Sequence, residues 1–278
     1  MEIYNSRRQT RQTKKQWIFI NNYNNNMHLS IITINKNNTI GLEKTIQSVI
    51  TQTFKDFEYI VIDGNSTDES VEIIKKHCNG INYWISEADT GIYNAMNKGI
   101  KKATGDYLLF LNSGDFLLHP WTLEEVFNEI KTCKQADVYF SDAVGNTYQV
   151  IKYPQDITLN FFILYMINHQ NTLIRRELFN HQLYNEKYKI TADWYFFITE
   201  LIQYNISFFH IKTNIAVYDA NGISYIHEKK RELERKTALK ELNISRNKYY
   251  LIKILKLTKY LLPYGLYKLY LFLKGHHK

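Results

Sequence analysis

Through its first half, the chain alternates short apolar runs with segments of helical periodicity. The runs "LSIITI" (29–34), "FEYIVID" (57–63), "INYWIS" (81–86), "YLLFLN" (107–112) and "ADVYFSD" (136–142) are rich in β-branched and aromatic residues. Between them, 39–52, 67–77, 91–103 and 121–133 place apolar residues three and four apart. Strand–helix alternation with short connections predicts an α/β fold, a Rossmann-like, mostly parallel sheet with helices on both faces. In such sheets ligands collect at the carboxyl ends of the strands, so those ends are where function is sought.

The second half loses the rhythm. An edge strand is expected around 147–153, an apolar helix over 157–166, a helix over 190–205 and one or two strands within 207–219. The 45% hydrophobic content supplies a core, and the formal charge of +8 gathers at the ends. Arg7, Arg8, Arg11, Lys14 and Lys15 lie in residues 1–26, which read as a basic, disordered extension ahead of a natural start at Met27. Residues 226–278 read as a basic amphipathic helical tail. Its last part, "YYLIKILKLTKYLLPYGLYKLYLFLKGHHK", repeats lysine too often to span a bilayer and suits an in-plane membrane anchor. A charge excess confined to the ends fits a membrane surface rather than a nucleic-acid groove, so no nucleic-acid partner is expected. Cys78 and Cys133 alone make no disulfide framework, no signal peptide is visible, and a cytoplasmic chain is expected. A nicotinamide-binding fold is disfavoured, because "NKNNTIG" stands where a G-x-G-x-x-G would follow the first strand.

Each strand of the first half ends in polar residues. Thr33 and Asn35 close the first and "DGNSTD" (63–68) the second; "SEADTGIYNAMNKG" (86–99) follows the third and "NSGD" (112–115) the fourth. Singly, each is compatible with an ordinary turn. Asp63 either shapes its turn or accepts hydrogen bonds from a ligand's base or ribose. Asn94 and Asn97 are poor helix formers in a helical stretch, and Lys98 lies one turn from Asn94.

Taken in order, "SIITINKNNTIGLEKTIQSVITQTFKDFEYIVIDGNSTDESVEII", "SEADTGIYNAMNKGI" and "ATGDYLLFLNSGDFL" resemble the nucleotide-sugar-dependent glycosyltransferases of family 2, over about residues 28–225. "GIYNAMNKG" is most similar to bacterial exopolysaccharide enzymes of the colanic-acid and amylovoran type. The resemblance implies a GT-A fold over 27–225, with a nucleotide-sugar half (27–115) and an acceptor half (116–225). It implies an inverting transfer from a UDP- or GDP-sugar to a lipid-linked or growing surface glycan, at the inner face of the cytoplasmic membrane.

The resemblance also implies roles. Thr33, Asn35 and Glu43 line the nucleotide pocket; Asp63 contacts the base, with Ser66 close by; Asp89 and Lys98 face the sugar nucleotide. "NSGD" falls on an Asp-x-Asp-type motif: Asp115 matches the metal-binding aspartate, and Ser113 stands where the first carboxylate is expected. One carboxylate suffices if the donor's diphosphate and water complete the shell of Mg²⁺ or Mn²⁺, with Asn112 or Ser113 orienting a water or a ribose hydroxyl. Asp193, in "TADWYFF", matches the acidic catalytic motif and is expected to be the base. His169, Gln170 and Asp142 are expected on the acceptor side, and "NGIS" (221–224) near the diphosphate. The alternative raised by Ser113 is a degenerate relative that binds nucleotide sugars without turnover.

Overall fold

The computed structural model describes residues 27–219 and 228–245. The 1–26 extension, "NGIS" and the lysine-rich stretch after residue 248 lie outside the described residues. A seven-stranded sheet carries the fold, in the order β10-β6-β9-β4-β1-β2-β3. Its strands are β1 (Leu29–Asn35), β2 (Phe57–Asp63), β3 (Tyr83–Ser86), β4 (Tyr107–Phe110), β6 (Val138–Phe140), β9 (Thr172–Arg175) and β10 (Phe208–His210). All pairs are parallel except those of β9, which runs antiparallel between β4 and β6. The α/β expectation therefore stands. A smaller sheet, β5-β11-β7-β8, joins β5 (Phe116–Leu117), β7 (Ala143–Gly145), β8 (Val150–Ile151) and β11 (Ala216–Tyr218).

The side-chain period of two explains the layers. From β1, β2 and β4, residues Leu29, Ile31, Tyr59, Val61, Tyr107 and Leu109 enter one core, with α1 (Thr39–Ile50), α2 (Ser70–Lys76) and α4 (Thr122–Thr132). Their alternates Ile32, Ile34, Ile60, Ile62, Leu108 and Phe110 enter the other. That second core is closed by α3 (Ile92–Lys102), α5 (Leu159–Leu164), α6 (Ala192–Tyr204) and two residues of α7 (Glu228–Glu241), Ala238 and Leu239. Strands buried on both faces must be apolar throughout, which is why they were conspicuous in the sequence. The first part of the expected tail thus packs on the domain. Among the described residues no helix is long and apolar enough to cross a membrane.

Two positional differences have local causes. Helix α2 starts at Ser70 rather than Thr67, because Thr67 N is bound by Asn37 Oδ1 and Ser70 N by Asp68 Oδ1 in a preceding turn. Strand β9 was not foreseen, because four residues flanked by single 3₁₀ turns carry no periodicity of their own.

Phe110 is fully buried on the central strand β4, edge-on to Phe179 and near Tyr184. Phe110→Ala should lower the unfolding free energy by about 3–5 kcal/mol in urea titration. Ile40→Ala, at an 86% exposed site, should change it by no more than about 0.5 kcal/mol.

Candidate active site

The register of the parallel strands aligns Asn35, Asp63 and Ser86 in one row at the carboxyl end of the sheet. Asp63 is the centre of that row. Its Oδ1 accepts from Asn35 Nδ2 (2.8 Å) and Ser66 Oγ (2.6 Å), its Oδ2 from Ser66 N (2.9 Å) and Ser86 Oγ (2.6 Å). Burial pushes this carboxyl up, but the bonds from Ser66, Ser86 and Asn35 outweigh it and hold it below the usual range. Four hydrogen bonds from within the protein hold Asp63 in place and tie Ser66 to the end of β2.

Asp89 reaches the same rim. Its Oδ1 accepts from Gly91 N at 3.0 Å, and its Oδ2 lies where a side chain on Gly64 would come within 2.3 Å. Glycine at 64 is what lets the carboxylate pack over the end of β2. Lys98 donates to Ala88 O and pairs with Glu87, both at 2.8 Å, so it braces the loop carrying Asp89. Asn94 and Asn97, anomalous in a helix by sequence, clamp another loop: both donate to Glu186, and Asn97 exchanges bonds with the Tyr184 backbone.

Two expected pocket residues are placed elsewhere. Thr33 is fully buried and its hydroxyl is 3.0 Å from that of Tyr59, because its parity on β1 turns it into a core. Glu43 pairs with Lys76 (2.7 Å), whose hydrogen bond holds its carboxyl low, and lies 3.6 Å from His77. It fastens α1 to the end of α2.

"NSGD" continues β4 alongside β1: Leu111 N donates to Ile32 O and Ser113 N to Ile34 O. Gly114, at φ +106, then turns the chain back, so that Asp115 Oδ2 accepts from Asn112 N at 3.1 Å. Asn38, the N-cap of α1, donates to Ser113 O at 3.0 Å. Asp115 Oδ1 accepts from Asp219 N at 2.8 Å, and Gln170 also hydrogen-bonds the carboxylate. Burial nevertheless pushes Asp115 up to about 6. The Asp219 side chain packs against Gly114, 3.4 Å from where a Cβ would sit, and brings a second carboxylate to the motif.

The second half delivers its residues to this point. Because β9 is antiparallel, the turn before it, His169–Asn171, arrives at the functional rim. His169 Nε2 is 3.1 Å from Asn112 Nδ2, and Nδ1 is 3.0 Å from Asp193 Oδ2. Because a carboxylate only accepts, Nδ1 carries a proton and donates it to Asp193. Asp193 Oδ1 accepts from Tyr93 OH (2.7 Å) and Trp194 N (2.9 Å). Burial and the neighbouring Asp193 charge push Tyr93 well above its ordinary value, so it stays a donor. Tyr93, Asp193, His169, Asn112 and Asp115 thus form one connected set across both halves. His169 faces Asp193, where an acceptor contact was expected. Asp142 stands apart, accepting from Tyr153 N (2.9 Å) and lying 3.0 Å from His210 Nε2.

Sequence reasoning missed Tyr93, Asn38 and Asp219. Tyr93 lay inside "GIYNAMNKG" with nothing in its spacing to mark it. Asp219 meets Asp115 from 104 positions away, which no local pattern reveals.

The donor set fits a hard divalent cation. Asp115 is a buried carboxylate without a full counter-charge, and Asn112 Oδ1 is buried with no hydrogen-bond partner. Among the described residues no group of three or more His, Cys, Asp or Glu gathers there, so a cation held at this point would need further ligands from a bound molecule or water.

Comparison with known proteins shows the family and the fold. The family model "Glycosyl transferase family 2" matches residues 30–197. A PGL/p-HBAD biosynthesis glycosyltransferase of Mycobacterium bovis is 32% identical over 172 residues, 60% of this chain and 67% of that protein. An uncharacterized glycosyltransferase of Mycobacterium tuberculosis is 47% identical over 88 residues, 31% of this chain and 34% of the relative. Among solved structures, S. aureus TarS 1–349 in complex with UDP superposes with a TM-score of 0.59 at 22% identity, covering 70% of this chain and 61% of TarS. The mannosyltransferase PcManGT from Pyrobaculum calidifontis, in complex with GDP-Man and Mn²⁺, gives 0.60 at 13% identity, covering 79% and 65%. The chain thus spans about three-fifths of that TarS chain, and these structural likenesses establish the GT-A fold.

Asp115 has a pH signature. Its folded pKa lies above the ordinary 3.8, so its contribution to stability is complete below about pH 4 and is lost as pH rises through about 6. That shift is worth on the order of 3 kcal/mol. In cation-free buffer, wild type should lose about that much between pH 4 and 7 relative to the non-titrating Asp115→Asn, measured by urea unfolding. Parallel pH profiles would refute the assignment.

Proposed function

The chain belongs to glycosyl transferase family 2, and from that premise we propose that it is an inverting, cation-assisted transferase. It moves a sugar from a UDP- or GDP-sugar to a hydroxyl of a lipid-linked or growing surface glycan. The observation that carries this reading is the His169 bridge, which ties a buried carboxylate suited to proton abstraction, Asp193, to the "NSGD" motif suited to the diphosphate. TarS is described with UDP-GlcNAc and PcManGT with GDP-Man and Mn²⁺, which supports the donor class.

Asp115 and Asn112, with Asp219 beside them, would hold Mg²⁺ or Mn²⁺. When bound, such a cation offsets charge on the departing diphosphate. Asp63, Ser66 and Asn35 shape the nucleotide end, and Asp89 faces the sugar. In the transfer, the acceptor hydroxyl forms its bond to the anomeric carbon as the bond to the diphosphate breaks, and Asp193 takes the hydroxyl proton. His169 and Tyr93 keep that carboxylate oriented, donating to opposite oxygens. Ser113 leaves one fewer carboxylate at the motif, and Asp219 compensates from the other sheet.

A panel of UDP- and GDP-sugars with Mn²⁺, scored by thermal shift and then by turnover, tests the reading. Asp193→Asn should lower transfer by about 10²–10⁴ while nucleotide affinity stays unchanged. Wild-type turnover in that variant would remove Asp193 from the base role. Binding by wild type without turnover would favour the degenerate alternative.

The lysine-rich tail supports association with the inner face of the cytoplasmic membrane. Deletion of residues 246–278, which spares α7, should move the protein from the membrane to the soluble fraction on sedimentation. Unchanged partitioning would place the anchor elsewhere.

A further inference from the structure

Helix α7 lies beyond the residues matched by the family model, which end at 197. It nevertheless touches the segment that carries the base. Glu234 Oε1 accepts from Lys189 N (3.0 Å), and Oε2 from Ile190 N (2.9 Å), Thr191 N (3.1 Å) and Thr191 Oγ1 (3.1 Å). Thr191 is the N-cap of α6, and its own side chain makes no cap to that helix. The carboxylate of Glu234 therefore holds, from another helix, the three N–H groups that lead into α6, and sets a negative charge beside that helix's N-terminus. Asp193 is the second residue of α6.

The connection to Asp193 is short. Ile190 gives its N–H to Glu234, and its carbonyl accepts from Tyr93 OH at 2.9 Å. The same hydroxyl binds Asp193 Oδ1. Further along α7, Arg235 lies 5.1 Å over the Trp194 ring, and Glu241 binds Lys187 and the Tyr188 hydroxyl. On the other side, Glu186 is held by Thr90, Asn94 and Asn97. The 184–191 segment is thus clamped between α3 and α7 just before it delivers the base.

Building on the transferase reading above, we propose that Glu234 is a positioning residue for glycosyl transfer: it sets the N-terminus of α6, and through Ile190 and Tyr93 the orientation of Asp193. The hydrogen bonds of Glu234 run to residues 189–191 and to none of the groups assigned above to donor, cation or acceptor. Its loss should therefore act on the chemical step and leave donor binding alone.

The test uses the full chain with Glu234→Ala and Glu234→Gln. Glu234→Ala should lower kcat by about 10- to 100-fold, the scale of a small misplacement of a reacting group. KM for the donor, and calorimetric affinity for UDP or GDP with Mn²⁺, should match wild type. Glu234→Gln keeps one carbonyl acceptor and should recover part of the rate. The imidazole proton of His169 shared with Asp193, observed by NMR, should shift or broaden in Glu234→Ala. Wild-type kcat in Glu234→Ala overturns the proposal, as does a fall in kcat, donor affinity and melting temperature together. If the wild-type chain turns over no nucleotide sugar, the transferase reading fails. Glu234 is then judged on the His169 resonance alone, and an unchanged resonance overturns its role.

Discussion

An ionised carboxylate buried at the end of a sheet is tolerable only if every lone pair is occupied, and Asp63 meets that condition from three strands' ends at once. Its four bonds join the termini of β1, β2 and β3 and fix the loop at Ser66. Because the strands are parallel and in register, satisfying this one group aligns the whole nucleotide-side rim. Asp89 and the "NSGD" turn are then placed against a surface that has no freedom to shift. The same four bonds fix the orientation of the carboxylate for which the resemblance implies a base contact.

The second half solves a different problem, that of bringing the buried Asp193 carboxylate to a rim built by the first. A parallel strand would deliver its leading turn to the far edge of the sheet. The antiparallel β9 delivers His169 to the near edge, next to Asn112. The imidazole, within hydrogen-bond distance of both Asn112 and Asp193, makes the "NSGD" motif and Asp193 parts of one hydrogen-bonded unit. The second sheet completes it, since β11 runs between β5 and β7 and ends at Asp219, beside Asp115.

How much of this was legible in the sequence follows from how local each feature is. Strands β1, β2 and β4 stood out because burial on both faces demands unbroken apolar runs. The polar strand ends were legible for the same reason, as abrupt departures from those runs. Strands β5, β7 and β9 were not, since two to four residues gain strand geometry only from partners far along the chain. Thr33 shows the limit within a strand: being near its end did not decide which face it served, and parity sent it to Tyr59. Asn94 and Asn97 were rightly marked as anomalous, but their partner, Glu186, lies about ninety residues on. Asp219 and Glu234 had no local mark, because their meaning comes wholly from what they touch.

The division between the matched family region and α7 also has a physical reading. The matched region, residues 30–197, holds Asp63, Asn112, Asp115, His169 and Asp193, but not the acceptor for the chain that leads into α6. The N–H groups of Lys189, Ile190 and Thr191 would otherwise look to water. One glutamate answers all three, and the apolar contacts of Ala238 and Leu239 keep it in place. Helix α7 is therefore part of the catalytic domain in the energetic sense, although the resemblance stops before it.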